Sequence, residues 1–137
     1  MYPKTYTENP ETKEARLTAR SSLRMKLPDG EKAIRSLSIH VSEIDSACYA
    51  SFMRNLIVKI SFDGVQTVCV PLSDLTGAGM GAPAVRSYYL EADGKGHSKL
   101  RFVMPYQREA HIEVENISEN SADIKIEACI STWKWYA

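Results

Sequence analysis

No stretch of this chain approaches the roughly 20 consecutive apolar residues that a membrane-spanning helix needs; the mainly apolar run Leu56 to Ile60 falls far short. The opening MYPKTYTENP has no hydrophobic signal core, so nothing as written is expected to direct the chain out of the cell, and the natural compartment stays open. Charge of one sign is also lacking. Seventeen basic and 17 acidic residues cancel, with a pI near 6.8, leaving no overall field to draw nucleic acid or an anionic membrane. Neither partner is expected. Cysteine is scarce: Cys48, Cys69 and Cys129 are odd in number and widely spaced, which argues against a disulfide framework or a zinc motif and for free, partly buried thiols. The histidines His40, His97 and His111 form no metal-binding spacing, and no GxSxG nucleophile motif occurs. No metal and no cofactor is therefore expected. Repeats, low-complexity tracts and long helical periodicity are absent too.

What remains is an ordinary globular composition, 137 residues with 44% hydrophobic and 25% charged. A domain of that size buries about two-thirds of its unfolded surface and needs no staples. Residues 1 to about 30 are polar and carry Pro3, Pro10 and Pro28, and read as an extension or linker, with the domain proper over 31–137. From the turn Pro28-Asp29-Gly30 onward, apolar and polar residues alternate with period two. Leu37, Ile39 and Val41 share one face against Ser38 and His40. Leu56, Val58, Ile60 and Phe62 share another, and Asp63-Gly64 predicts a tight hairpin into Thr67 to Leu72. Shorter strands are expected at Tyr88 to Leu90 and Arg101 to Met104, split by the polar turn DGKGHSK. His111 to Asn116 and Ile124 to Ile130 alternate again across ISENSAD, predicting a second hairpin. About seven to eight strands without a long helix predict an all-β, antiparallel β-sandwich.

Several clusters invite chemistry. His111, Glu113 and Glu115 at i, i+2, i+4 would share a strand face, the two carboxylates about 6.5 to 7 Å apart, a separation that could suit inverting glycoside hydrolysis. Pairing with Lys125 and Glu127 on a neighbouring strand explains the same pattern as a solvated face, and that reading is preferred. Gly77, Gly79 and Gly81 echo a phosphate loop, but Pro83 follows where a helix N-terminus is needed, so a loop lining a ligand cleft fits better. Lys95, His97, Lys99 and Arg101 could hold an anion, or form a solvated turn. Trp133 and Trp135 share a strand face; such aromatics stack on sugar rings, or bury against a continuation of the chain or a second subunit. Asn116-Ile117-Ser118 matches a glycosylation sequon, which carries little weight without an export signal.

The runs KLPDGEKAIRSLSIHV, MRNLIVKISFDGVQTVCVPLSDLTGAGMG and RFVMPYQREAHIEVEN resemble domain-of-unknown-function family 2961, whose characterised members define glycoside hydrolase family 172. Phe62-Asp63-Gly64 matches its WDGE- or FDGE-like turn, Pro71-Leu72 with Asp74 and Gly77 its PLGDFFG-like segment, and Met104-Pro105-Tyr106 its MPF- or MPY-like segment, in order over about residues 26 to 135. Val65 stands where the family has an acidic residue, and Leu75-Thr76 where it has paired aromatics. The resemblance implies paired jelly-roll sandwiches, assembly into trimers or larger homo-oligomers, and metal-free hydrolysis or rearrangement of fructofuranosides and arabinofuranosides. The family's catalytic glutamates lie in later segments resembling EGDEK and GTGTEDYF, which this sequence does not contain, so no catalytic residue carries over. The chain looks like one jelly roll of a two-roll carbohydrate enzyme, with Asp74, Gly79 in its glycine loop, Tyr106, Trp133 and Trp135 as candidates for a sugar-cleft wall. Two other classes fit the same sequence: a free-standing carbohydrate-binding module and a structural trimer-forming subunit.

Overall fold

The computed structural model describes residues 9–43, 46–75, 85–86, 90–93 and 95–132. Eleven strands are present among them: β1 (Asn9–Leu17), β2 (Ser22–Lys26), β3 (Lys32–Ser42), β4 (Leu56–Phe62), β5 (Val65–Pro71), β6 (Val85–Arg86), β7 (Leu90–Ala92), β8 (His97–Leu100), β9 (Met104–Tyr106), β10 (Ala110–Asn116) and β11 (Ala122–Thr132). A 3₁₀ turn at Ser46–Cys48 leads into α1 (Tyr49–Arg54), and α2 (Leu72–Leu75) follows β5. Strands build two antiparallel sheets, β1-β11-β3-β8-β7-β6 with β9 also on β3, and β2-β10-β4-β5. The expected all-β antiparallel sandwich is the fold.

Its pairing is nested. β1 pairs β11, β2 pairs β10, β3 pairs β8 and β4 pairs β5, so the chain behaves as one long antiparallel ribbon rolled over itself. That is the wrapping of a jelly roll. Alternation drives it: Leu37, Ile39 and Val41 of β3 and Ile124, Ile126 and Ala128 of β11 face Leu56, Val58 and Ile60 of β4 and Ile112 and Val114 of β10 in a single core. Phe52 and Met53 of α1 and Leu72 of α2 are buried in that core as well.

The structure corrects three expectations. The 1–30 segment is no linker from residue 9 onward, since β1 and β2 complete both sheets and bury Leu17, Leu23, Met25 and Leu27. β1 disguises itself because it is an edge strand whose charges Glu11, Lys13, Glu14 and Arg16 leave little apolar pattern. Second, β10 and β11 are not a hairpin: they lie in opposite sheets, and residues 117–121 cross between them. Third, the strand expected at Arg101 to Met104 is displaced, as residues 101–103 link β8 to β9 while His97 to Lys99 are already in strand. Tyr88 and Tyr89 lie outside the described residues, and β7 starts at Leu90.

The β4–β5 hairpin is as expected. Asp63 and Gly64 both adopt positive φ, 51° and 86°, as a two-residue turn matched to strand twist requires. One irregularity was not legible: the register shifts between Ile60 and Ser61, leaving Thr67 as an extra residue opposite them and burying Ser61 beside Ile60.

Candidate functional site

Two of the three family-like motifs meet at one corner of the sandwich, while the third, Pro71-Leu72 with Asp74, lies at the far end of the β4–β5 hairpin, where Pro71 pairs with Ile57. The Asp63 carboxylate accepts the backbone N–H groups of Gln107, Arg108 and Glu109 at 3.1, 2.7 and 3.1 Å, and its own N–H donates to Glu109 O at 2.8 Å. The N–H donors of Glu109 and Gln107, with that of Arg108 and its positive charge, hold the carboxyl below the usual aspartate range. The FDG turn thus fastens the segment that follows Met104-Pro105-Tyr106. Tyr106 itself is in the core, 1% exposed, its phenol donating to Pro28 O at 2.6 Å and its ring 6.4 Å from that of Phe62. Burial, together with the nearby Asp29, Glu11 and Asp63 carboxylates, pushes its phenol up to about 12. Its ring therefore offers no free face to a sugar in this chain. Asp74 lies exposed on α2, 3.5 Å from Arg54 of α1, while Leu72 beside it is fully buried. Gly79, Trp133 and Trp135 lie outside the described residues.

The His111, Glu113, Glu115 face is real, but its neighbours differ from those expected. β10 runs between β2 and β4, so Glu113 stands opposite Arg24 and Lys59, and Lys125 and Glu127 belong to the other sheet. Lys59 Nζ donates to Glu115 at 2.6 Å, and the Arg24 guanidinium donates to His111 Nδ1 at 3.3 Å. The hydrogen bond it donates to Glu115, reinforced by that carboxylate's charge, raises the Lys59 ammonium above its ordinary value. This is cross-strand charge pairing, the preferred reading with different partners.

The basic cluster around the 93–97 turn is dispersed. Arg101 pairs with Glu91 at 2.9 Å, and Lys99 sits opposite Ser38 and Glu91. His97 instead stacks on His40, ring centroids 3.8 Å apart and planes 9° from parallel. A built turn sets this contact: Asp93 Oδ1 accepts the N–H groups of Lys95 and His97 at 2.7 and 3.0 Å, and Gly96 donates its N–H to the Tyr49 hydroxyl at 3.0 Å. Burial raises the Asp93 carboxyl, but these N–H donors and the charge of His97 outweigh it, and the net shift is downward. His40 is lowered by its burial, by His97 and by Lys125, against an opposing pull from Asp93. Sequence reading missed this pair because it depends on the β3–β8 register; the available signal was His40 at an outward position and the Asp93-to-Gly96 turn.

His40 and His97 stand in a row across four strands, His97–His40–Lys125–Glu14. Ser42, Asp123 and Arg16 form the row on one side, and Lys99, Ser38 and Glu127 the row on the other. The short Ser38 and Ser42 leave hollows beside the longer imidazoles. One cleft of about 380 Å³ is lined by Glu14, Arg16, His40, Ser42 and Lys125 among others, and one of about 330 Å³ by Ser38, Glu91, Asp93, His97 and Lys99. Among the described residues no three His, Cys, Asp or Glu side chains are grouped to hold a metal ion. No described helix is long and apolar enough to cross a membrane.

Asp63 and Tyr106 bring two of the three motifs to one corner. In the comparison with protein families, the GH172 domain-like family model matches residues 8–129. The chain belongs to the GH172 domain-like family. No curated protein matches it. The match begins at residue 8, so β1 and β2 belong to this GH172-like unit with the rest of the sandwich. The family relation makes the chain glycoside-hydrolase-like in kind.

Proposed function

We propose that this GH172-like chain is a scaffold jelly roll of a carbohydrate-active protein, supplying structure, homo-oligomeric contacts and a wall of a sugar cleft while the catalytic carboxylates come from elsewhere. The observation that carries this reading is how the family-like motif residues are employed. Asp63 is occupied by three backbone N–H groups, Tyr106 by the Pro28 carbonyl, and Leu72 by the core. Residues spent on holding loops together are not available to transfer protons. On β10, Glu113 stands opposite Arg24 and Lys59, and Glu115 is bonded to Lys59, rather than the two facing one another across an empty gap.

The test is hydrolysis of aryl arabinofuranosides and fructofuranosides by the purified chain. No release of the aryl group above background is expected. Turnover that disappears in Glu113→Gln would replace the scaffold reading with a catalytic one. Sedimentation of the same sample addresses assembly: a trimer or larger oligomer is expected, and a monomer at all concentrations removes the assembly role.

A further inference from the structure

The sheet edges of this molecule are blunted, with one exception. β1 carries Glu11, Lys13, Glu14 and Arg16, β2 carries Arg24 and Lys26, and β6 and β9 are only two and three residues long. β5, VQTVCVP, has no charged residue, and among the described residues it has a neighbour, β4, on one side only. Beside it the two sheets part around an apolar cleft of about 260 Å³, lined by Ile60 and Val68 of the smaller sheet, Leu75 of α2, and Leu100, Phe102 and Met104 across from them. Val65 and Phe102 on this side are 64% and 45% exposed. We propose that β5 pairs antiparallel with β5 of a second copy of the chain, Cys69 opposite Cys69, joining two four-stranded sheets into one continuous sheet.

The register follows from the backbone. Pro71 has no N–H to give, so its place in the ladder is an outward one, and alternation turns the N–H and C=O of Cys69 away from β4 as well. The bulge at Thr67 lies beside the turn and leaves Val68, Cys69 and Val70 in regular register with Ile60, Lys59 and Val58. About a two-fold axis at Cys69 these stretches match: Val68 meets the partner's Val70, and the valines of both strands stay on the core side, next to the two apolar clefts. Charge favours a copy of the same chain. Neither β5 brings a like charge to the seam, and Lys59, the cation opposite Cys69, is already bonded to Glu115. A seven-residue strand is about 23 Å long and two packed sheets are about 20 Å deep with their side chains. Each copy then covers about 500 Å², and the total of about 1,000 Å² reaches the smallest specific interfaces. Pairing uses up the one unprotected edge, so it closes at two copies instead of running on into fibres.

The proposal rests on the scaffold reading for its homo-oligomeric contacts and gives them a place, a two-fold seam that a trimer alone does not contain. The experiment is sedimentation of the whole chain beside Thr67→Lys, which sets a cation from each copy at the seam. The wild-type chain is expected to hold an even number of copies and the variant half that number, six falling to three or two to one. A second measurement uses a chain in which Cys48→Ser and Cys129→Ser leave Cys69 as its one cysteine. Directly opposed residues with outward N–H groups have Cα atoms about 5.5 Å apart, within disulfide reach. Diamide, which takes up the two electrons and two protons that the thiols release, is expected to give a covalent dimer at Cys69, and to give none once Thr67→Lys is added. A trimer that Thr67→Lys leaves intact would overturn the seam and spare the scaffold reading, whereas a monomer at all concentrations would end both. Should Thr67→Lys fold poorly, the Cys69 chain alone decides, and the absence of a covalent dimer, or open-ended aggregation in its place, would overturn the seam.

Discussion

Asn116 occupies the first position of a sequon, yet it is fully buried and committed. Its amide donates to Thr18 O at 3.0 Å and Asn120 O at 2.7 Å, and its carbonyl accepts from the N–H and hydroxyl of Ser118 at 2.9 and 2.6 Å. The side chain thereby pins the β10–β11 crossing to the end of β1, and no glycan can reach it in the folded chain. Asn116→Ala strands several of these groups and is expected to cost about 3 kcal/mol, read as a lowered urea midpoint with unchanged slope. Ser98 is the opposite case. Its hydroxyl is buried without a hydrogen-bond partner among the described residues, so Ser98→Ala is expected to stabilise by about 1 kcal/mol in the same assay. His40 makes stability depend on pH. An unfolded imidazole titrates near 6.5, and His40 in the fold holds its proton less tightly than that. Below about pH 6.5 the unfolded chain therefore binds more protons, so stability falls with acid until the folded value is passed, and is undiminished above neutrality. His40→Gln should flatten the unfolding free energy between about pH 7 and 5; an unchanged slope would remove the stacked pair as its cause.

At the scale of elements, the 93–97 turn depends on a single missing side chain. Gly96 has φ of 109°, and a Cβ there would lie 2.0 Å from the Val41 carbonyl oxygen. Gly96→Ala must therefore push the β7–β8 hairpin off β3, and faster amide exchange over residues 97–100 with a loss of about 2 kcal/mol or more is expected. The strands that were legible from sequence share one property: one face buried, the other wet. β3, β4, β10 and β11 show it, and the Asp63-Gly64 turn announced its own hairpin. What was hidden was long-range. Nothing local in ISENSAD says that β11 changes sheets, because a sharp turn and a crossing use the same polar residues. Nor does β1 look like a strand, since of its residues Leu17 alone is in the core. The site was less legible than the fold. Asp63 and Tyr106 stood out as motif residues, but their roles as a loop fastener and a core phenol follow from partners more than 40 positions away.

For the whole molecule, the nested pairing makes the amino-terminal segment indispensable. A chain shortened to residues 28–137 loses β1 and β2, opens the core at Leu17, Leu23, Met25 and Leu27, and exposes the edges of β11 and β10. Loss of cooperative thermal unfolding, with aggregation, is expected; a well-folded fragment would return residues 9–27 to the status of an appendage. The same wrapping has a consequence for how the protein comes into being. Arg16 and Asp123, joined at 3.2 Å where β1 meets β11, are 107 positions apart. At cellular rates of about 5 to 20 residues per second, β1 leaves the ribosome about 5 to 20 seconds before its partner is made. The sandwich cannot close one strand at a time behind the ribosome. Its earliest strand has to wait unpaired, and the charges that hid β1 from sequence reading are what keep it soluble through that delay.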